Sequence, residues 1–243
     1  MKQLLYSSAF VCLLQAVAPL NDSEKLFGNA VWFEGTFGFI MPLTGCPDGY
    51  FWTNGTRLQL LQFFGNSVTC LNDNKTPCHF YGFHKWCYPV VESHYCVKKH
   101  PESMKLWPSG SYCFNKYLEC PEGFSNGSIF WDDHDLGSDE NLVIGTLPDG
   151  IFDRNTMFNY CCRADGKASN GQEFPSSKPF YLYRYKGECQ RINDMSVTEE
   201  VVTFDTPRTF LSGNSDHARG AHPDCSLYPI ILYVSASSVK LFS

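Results

Sequence analysis

The chain has 243 residues, 43% hydrophobic, 16% aromatic and 18% charged, with 12 cysteines and a formal charge of −6. That apolar content excludes a disordered chain, and 25 acids against 19 bases exclude a broad nucleic-acid surface, because the summed field repels phosphate. The length suits one or two domains, and this density of cysteine suits an oxidising compartment rather than a reducing cytosol.

Met1-Lys2 is a short basic start, and Leu4 to Ala18 is an apolar stretch of signal-peptide length, too short to span a bilayer. Ala16-Val17-Ala18 meets the small-residue cleavage rule, although Pro19 is unfavourable just after it. Residues 1–18 therefore read as a secretory leader, with a buried N-terminal helix as the competing reading. Cleavage removes Lys2 and Cys12, leaving 18 bases, 25 acids, a charge of −7 and 11 cysteines. Residues 19–31 read as a short linker. Sequons at Asn21, Asn54, Asn74 and Asn126 agree with secretion. No second apolar run approaches about 20 residues, so no transmembrane anchor is expected. The C-terminal run Tyr228–Val234 has the length of a strand.

A repeat follows the linker. Trp32-Phe-Glu-Gly35-Thr-Phe37-Gly-Phe39 leads to Cys46-Pro-Asp-Gly49-Tyr50, and Trp107-Pro-Ser-Gly110-Ser-Tyr112-Cys-Phe114 leads to Cys120-Pro-Glu-Gly123-Phe124. Both copies later reach a Tyr-Cys, at Tyr95-Cys96 and at Tyr160-Cys161-Cys162. Two copies are too few for a solenoid. They indicate an internally duplicated domain over 32–243, with a first half 32–100, a second half 107–166 and a C-terminal part 167–243.

Between frequent Gly and Pro lie short aromatic and β-branched runs: Trp32–Ile40, Ser111–Phe114, Ser128–Trp131, Met157–Cys162, Pro179–Tyr185 and Val197–Phe204. Leu147-Pro-Asp-Gly150 and Cys120-Pro-Glu-Gly123 are turn signatures. Thr56–Gly65, bracketed by a Thr start and a Gly stop, predicts one short helix. Many short strands with regular turns predict an all-β, disulfide-stabilised sandwich or barrel-like fold.

Trp107-Pro-Ser-Gly-Ser-Tyr-Cys113, Cys120-Pro-Glu-Gly-Phe124, Ile129-Phe-Trp-Asp-Asp133, Leu147-Pro-Asp-Gly150, Tyr160-Cys-Cys-Arg-Ala-Asp-Gly166, Pro179-Phe-Tyr-Leu182 and Cys189-Gln190 together resemble the apextrin C-terminal (ApeC) domain. The resemblance runs from about Trp32 to about Asp205. Phe33 stands where the family tends to have Pro, and 66–90 looks like a cysteine-bearing insertion. Family members include extracellular-matrix proteins of embryonic epithelia and secreted immune proteins of marine invertebrates that bind bacterial peptidoglycan. Some carry a perforin-like domain ahead of this one, for which 19–31 leaves no room. The resemblance thus implies a secreted, non-catalytic protein whose partner is a cell-wall glycan or muropeptide, with a structural matrix protein acting through protein contacts as the alternative.

Eight cysteines sit on the repeat or the family pattern: Cys46, Cys96, Cys113, Cys120, Cys161, Cys162, Cys189 and Cys225. The repeat suggests Cys46–Cys96, and Cys120 with one of the vicinal pair. Cys161 and Cys162 should take different partners, because neighbours on a strand face opposite ways. An odd thiol should then fall among Cys70, Cys78 and Cys87.

Several constellations invite chemistry. Gly123-Phe-Ser-Asn-Gly127 has the form of a nucleophile elbow but lacks its strand-turn-helix setting. The histidines among the cysteines lack any Cys-x-x-Cys pair, which disfavours zinc. Asp132, Asp133, Asp135 and Asp139 form a crowded acidic run that is either a solvated turn or a Ca²⁺ site, the one cofactor the sequence suggests. For ligand contact the expected residues are Trp107, Tyr112 and Trp131 for sugar stacking, with Asp132, Asp133, Arg163 and Asp165 supplying charge.

Overall fold

Aromatic and β-branched runs too short for three helical turns must find backbone partners in other segments, and here they do so as strands. The computed structural model describes residues 5–16, 31–60, 68–72, 90–206 and 216–226, apart from 48, 50, 102, 132–140, 154, 176 and 177. These hold β1 (Leu5–Ala16), β2 (Phe37–Ile40), β3 (Trp52–Leu60), β4 (Val68–Asn72), β5 (Val90–Lys98), β6 (Ser111–Lys116) and β7 (Ser125–Trp131). There follow β8 (Leu142–Gly145), β9 (Gly150–Phe152), β10 (Thr156–Ala164), β11 (Phe180–Arg184), β12 (Met195–Thr206), β13 (His217–Gly220) and β14 (Cys225–Ser226). The expected all-β class is what the chain adopts. The expected helix from Thr56 is corrected: Thr56–Leu60 continues β3, which pairs with β5 on one edge and β8 on the other. Two ladders outweigh a weak local helix signal.

The repeat is a repeat of register. Phe39 lies opposite Cys96 where β2 meets β5, and Phe114 lies opposite Cys161 where β6 meets β10. On the far edges Asn54 faces Cys96 and Asn126 faces Cys161, so the two Asn-Gly-[Thr/Ser] sequons occupy equivalent places. Next out, Gly55 pairs with Gly145 of β8 and Gly127 with Gly220 of β13. The carbonyls of Asn54 and Asn126 accept from the amides of Thr146 and Ala221 at 3.1 and 3.0 Å. The strand orders are thus β2-β5-β3-β8 and β6-β10-β7-β13.

A third unit, β11-β1-β12-β4, has the same order. Lys116 ends β6 with its carbonyl bound by the Asp149 amide at 2.8 Å, and Arg184 ends β11 with its carbonyl bound by the Asp224 amide at 2.9 Å. Each cation also pairs with that same aspartate, at 2.9 Å for Lys116–Asp149 and 3.1 Å for Arg184–Asp224. Phe37 and Gly38 pair with Lys116 and Asn115, and Tyr112 and Cys113 pair with Arg184 and Tyr183, so successive units join in one way. The edge strands are exchanged. β8, from the second unit's stretch of chain, closes the first; β13, after β12, closes the second; β4, from the first, closes the third. Residues 5–16, which read as leader, form β1, the middle strand of this third unit.

Strand alternation sends side chains of the central strands into two cores, one on each face. One core contains Trp32, Phe37, Phe39, Trp107, Tyr112, Phe114, Phe180 and Leu182; the other contains Tyr95, Ile129, Trp131, Phe158, Tyr160, Tyr181 and Tyr183. β6 and β11 are buried on both faces. At about 25 cal/mol per Å² of apolar surface, each buried ring contributes roughly 2–3 kcal/mol. Burial of Tyr95 raises its phenol to a pKa of about 12. Such a phenol remains a neutral part of the core.

Candidate functional site

The structure separates the predicted aromatic site residues and buries them, Trp107 and Tyr112 in one core and Trp131 in the other. Trp107, Tyr112 and Trp131 are only 6%, 0% and 4% exposed. Trp107 stacks on Phe114 with centroids 4.5 Å apart and meets Phe33 at 4.6 Å, and its indole N–H donates to the Glu34 carbonyl at 2.9 Å. Tyr112 donates to the Pro108 carbonyl at 2.6 Å. Other side chains cover these rings, so none presents a face to a sugar in this conformation. Arg163 and Asp165 make a two-point ion pair. Arg163 Nη1 donates to the Trp107 carbonyl at 3.0 Å, and Asp165 accepts from the Gly110 amide at 2.9 Å. The pair therefore clamps the Trp107–Gly110 turn. The guanidinium hydrogen bonds hold the Asp165 carboxyl below the ordinary carboxylate range. In the first copy the equivalent position is Lys98, whose buried Nζ donates to the Gly35 carbonyl at 2.8 Å.

Asp132, Asp133, Asp135 and Asp139 lie outside the described residues, as do Asn21, Asn74, Cys78 and Cys87 and the side chain of Cys70. Asn54 and Asn126 are exposed on β3 and β7, open to glycosylation. Among the described residues the bridges include Cys46–Cys96, Cys120–Cys161 and Cys113–Cys162, so the vicinal pair is split between opposite faces. They close separations of 50, 41 and 49 residues. Each such closure stabilises the fold by about 4 kcal/mol in the chain-entropy picture. Cys189 is disulfide-bonded as well. Cys225, expected in a bridge, is corrected: it is a free, half-buried thiol whose Sγ lies 3.9 Å from His222 Nδ1. Burial, and then the nearby Asp224 charge, raise it to a pKa of about 11.

Sequence reasoning missed a cleft of about 270 Å³ on the outer face of the second unit. Its floor is the Gly127–Gly220 pair, where two neighbouring strands carry no side chains. Around it stand Lys116, Asn126, Ser128, Asn159 and Arg219. A Cβ on Gly127 would lie 2.1 Å from the Ala221 carbonyl oxygen, and Gly220 adopts φ +65°, so glycine is required at both places. Lys116 is held by Asp149, whereas exposed Arg219 makes no ion pair among the described residues. The cleft thus presents two cations, two amides and a hydroxyl, a set suited to a small polar ligand bearing a carboxylate and amide groups. At the equivalent place in the first unit Ile144 replaces Arg219 and His94 replaces Asn159. There His94 is engaged by its neighbours, with Thr56 Oγ1 at 3.0 Å and Glu92 Oε1 at 2.7 Å.

A family model described as the C-terminal domain of apextrin, ApeC, matches residues 32–233. The chain belongs to the ApeC family. No curated protein and no solved structure matches it. The ApeC span takes in the cleft, the bridges Cys46–Cys96, Cys113–Cys162 and Cys120–Cys161, and every strand from β2 to β14, and begins after β1. Disulfides in this number, on an ApeC domain with no helix among the described residues long and apolar enough to cross a membrane, fit an extracellular protein.

Proposed function

We propose that this is a secreted, non-catalytic recognition protein that binds bacterial cell-wall glycan, in the form of peptidoglycan or its muropeptides. The cleft at Lys116 and Arg219 supports that reading most directly. A muropeptide offers N-acetyl groups, which hydrogen-bond to amides and hydroxyls, and carboxylates on the lactyl ether or stem peptide, which pair with cations. Asn126, Asn159 and Ser128 match the first, and Arg219 with Lys116 the second. The chain as a whole is acidic, so general adhesion to anionic walls does not supply the affinity. A glycan on Asn126 would stand at the cleft mouth and consume the amide assigned to the ligand, so protein made with N-glycosylation blocked should bind more strongly where that sequon is used.

The test is co-sedimentation of the folded protein, made with N-glycosylation blocked, with insoluble peptidoglycan, followed by competition with soluble muropeptide. Removing one charge-assisted contact weakens binding by roughly 10–100-fold, the range expected for Arg219→Ala. Unchanged binding by that variant would dismiss the cleft, and no sedimentation of wild type with several peptidoglycan types would dismiss the ligand class. One observation favours the matrix-protein alternative. Edge strand β8 exposes Leu142, Val143 and Ile144 at 50%, 44% and 54%, a row suited to strand addition by another protein.

A further inference from the structure

One row of side chains crosses the cleft in register. Lys116 lies one place beyond the Asn115–Tyr160 pair and so faces Asn159; Asn159 faces Ser128, and Ser128 faces Arg219. Facing residues of paired strands point to the same side of the sheet, so the four side chains project together. With strands about 4.8 Å apart, the two cations stand at the ends of a row of roughly 14 Å, with an amide and a hydroxyl between them.

The two ends differ in charge. Lys116 Nζ lies 2.9 Å from Asp149 Oδ2, whereas Arg219 makes no ion pair among the described residues. Asp149 also holds the row through its backbone. Its amide donates to the Lys116 carbonyl at 2.8 Å, and its carbonyl accepts from the Asn159 amide at 3.1 Å. The carboxylate is thereby fixed beside Lys116. A ligand carboxylate arriving at that end meets a cation already matched and a second carboxylate behind it.

The repeat does not demand this arrangement. Met41, which follows Ile40 as Lys116 follows Asn115, is buried and brings no charge to the first unit. Arg184 of the third unit is matched twice, by Glu199 at 2.6 Å and Asp224 at 3.1 Å. One position of the fold thus carries three different charge states, and only the second unit combines a matched cation with a free one among the described residues.

We propose that Asp149 sets the specificity of the cleft: by matching Lys116 it leaves one free cation, so the site takes an acetamido ligand with a single carboxylate and rejects the same ligand carrying two. The proposal rests on the reading of the cleft as a muropeptide site and names which muropeptides it takes. The single carboxylate pairs with Arg219, the acetamido group lies over Ser128 and Asn159, and a neutral group faces Lys116. A second carboxylate in that place is repelled by Asp149, which acts through Lys116 as a positioning residue.

The probes are N-acetylmuramyl-L-alanyl-D-isoglutamine, with one carboxylate, and N-acetylmuramyl-L-alanyl-D-glutamate, in which a second carboxylate replaces the carboxamide. The protein is the full-length chain from a secreting host, made with N-glycosylation blocked, and circular dichroism checks the fold of each variant. Isothermal titration calorimetry should show wild type binding the first probe at least about fivefold more tightly. Asp149→Asn should erase or reverse that preference by strengthening the dicarboxylate, whose binding should then fall more steeply with salt. The double variant Lys116→Met with Asp149→Asn should lose that gain, and Arg219→Ala should weaken both probes. A merely structural Asp149 would weaken both probes alike and leave their ratio unchanged. That result, or equal or tighter binding of the dicarboxylate by wild type, would overturn the proposal and leave the cell-wall reading standing. So would failure of both probes while peptidoglycan still sediments the protein. Failure of both probes and of peptidoglycan would remove the reading and the proposal with it.

Discussion

Substituting Gly127 by alanine tests the repeat. The added Cβ would sit 2.1 Å from the oxygen, 2.5 Å from the carbon and 2.6 Å from the nitrogen of Ala221, all backbone atoms that no rotamer change can move. β13 must retreat by roughly 1 Å or more to restore ordinary contact. The retreat disrupts the pairing of His217–Gly220 with Phe130–Gly127 and the Ala221 amide bond to Asn126. At about 1 kcal/mol per backbone hydrogen bond, the loss comes to roughly 3–4 kcal/mol. For a chain of this size that lowers Tm by about 6–16 °C. Gly55→Ala should behave alike, because its Cβ would meet the Thr146 oxygen at the same 2.1 Å. Gly187→Ala is the control: it has nothing within 4 Å, and only its φ of +96° opposes the change. Differential scanning calorimetry of the three variants decides. Melting of Gly127→Ala within 2 °C of wild type would refute the reasoning, the criterion being set well inside the expected range.

Trp107→Ala should destabilise by roughly 3–5 kcal/mol in denaturant titration, since it empties the stacked centre of one core; a loss below about 1 kcal/mol would contradict its burial. Cys225, with its pKa raised from 9.0 to about 11, should carry roughly a hundredfold less thiolate at pH 8 than a free cysteine. Peptide-resolved alkylation should show that ratio between native and unfolded protein, and equal rates would contradict it. Asp165 has a folded pKa below its unfolded value of 3.8, so its contribution is complete above that value and fades as pH falls through the lower folded one. Asp165→Asn should therefore lower stability at pH 7 and flatten its dependence below about pH 4. A dependence identical to wild type in acid titration would argue against the clamp.

Features set by local alternation were legible in the sequence. That Cys161 and Cys162 take different partners follows from strand geometry alone, and the Trp-x-x-Gly and Cys-Pro-acid-Gly strings marked two units in register. The third unit was hidden because its marks are replaced. Leu182 stands for Phe39 and Phe114, and Phe174 packs against Trp107 near where a tryptophan would fall. Burial of Trp107 and Trp131 was not legible either. An aromatic beside a turn reads alike whether it caps a surface or closes a core, and three converging units decided the matter. The cleft was missed because Lys116 and Arg219 are distant in sequence and its floor is made of missing side chains. A signal exists in Asn54-Gly-Thr and Asn126-Gly-Ser, which follow Cys46 and Cys120 by eight and six positions, but as sequons they point first to glycosylation.

The exchange of edge strands has a kinetic consequence. β8 cannot dock on β3, nor β13 on β7, until chain far downstream has been synthesised, and β4 must wait for β12. No unit can finish alone as it leaves the ribosome. Nearly every ladder closes a long loop before it gains its hydrogen bonds, which places the domain among slow, high-contact-order folders. Cys46 and Cys96 can meet before the second copy exists, whereas Cys113 and Cys120 must wait for the vicinal pair and can then choose the wrong member of it. A chain built this way depends on thiol-disulfide isomerisation during maturation.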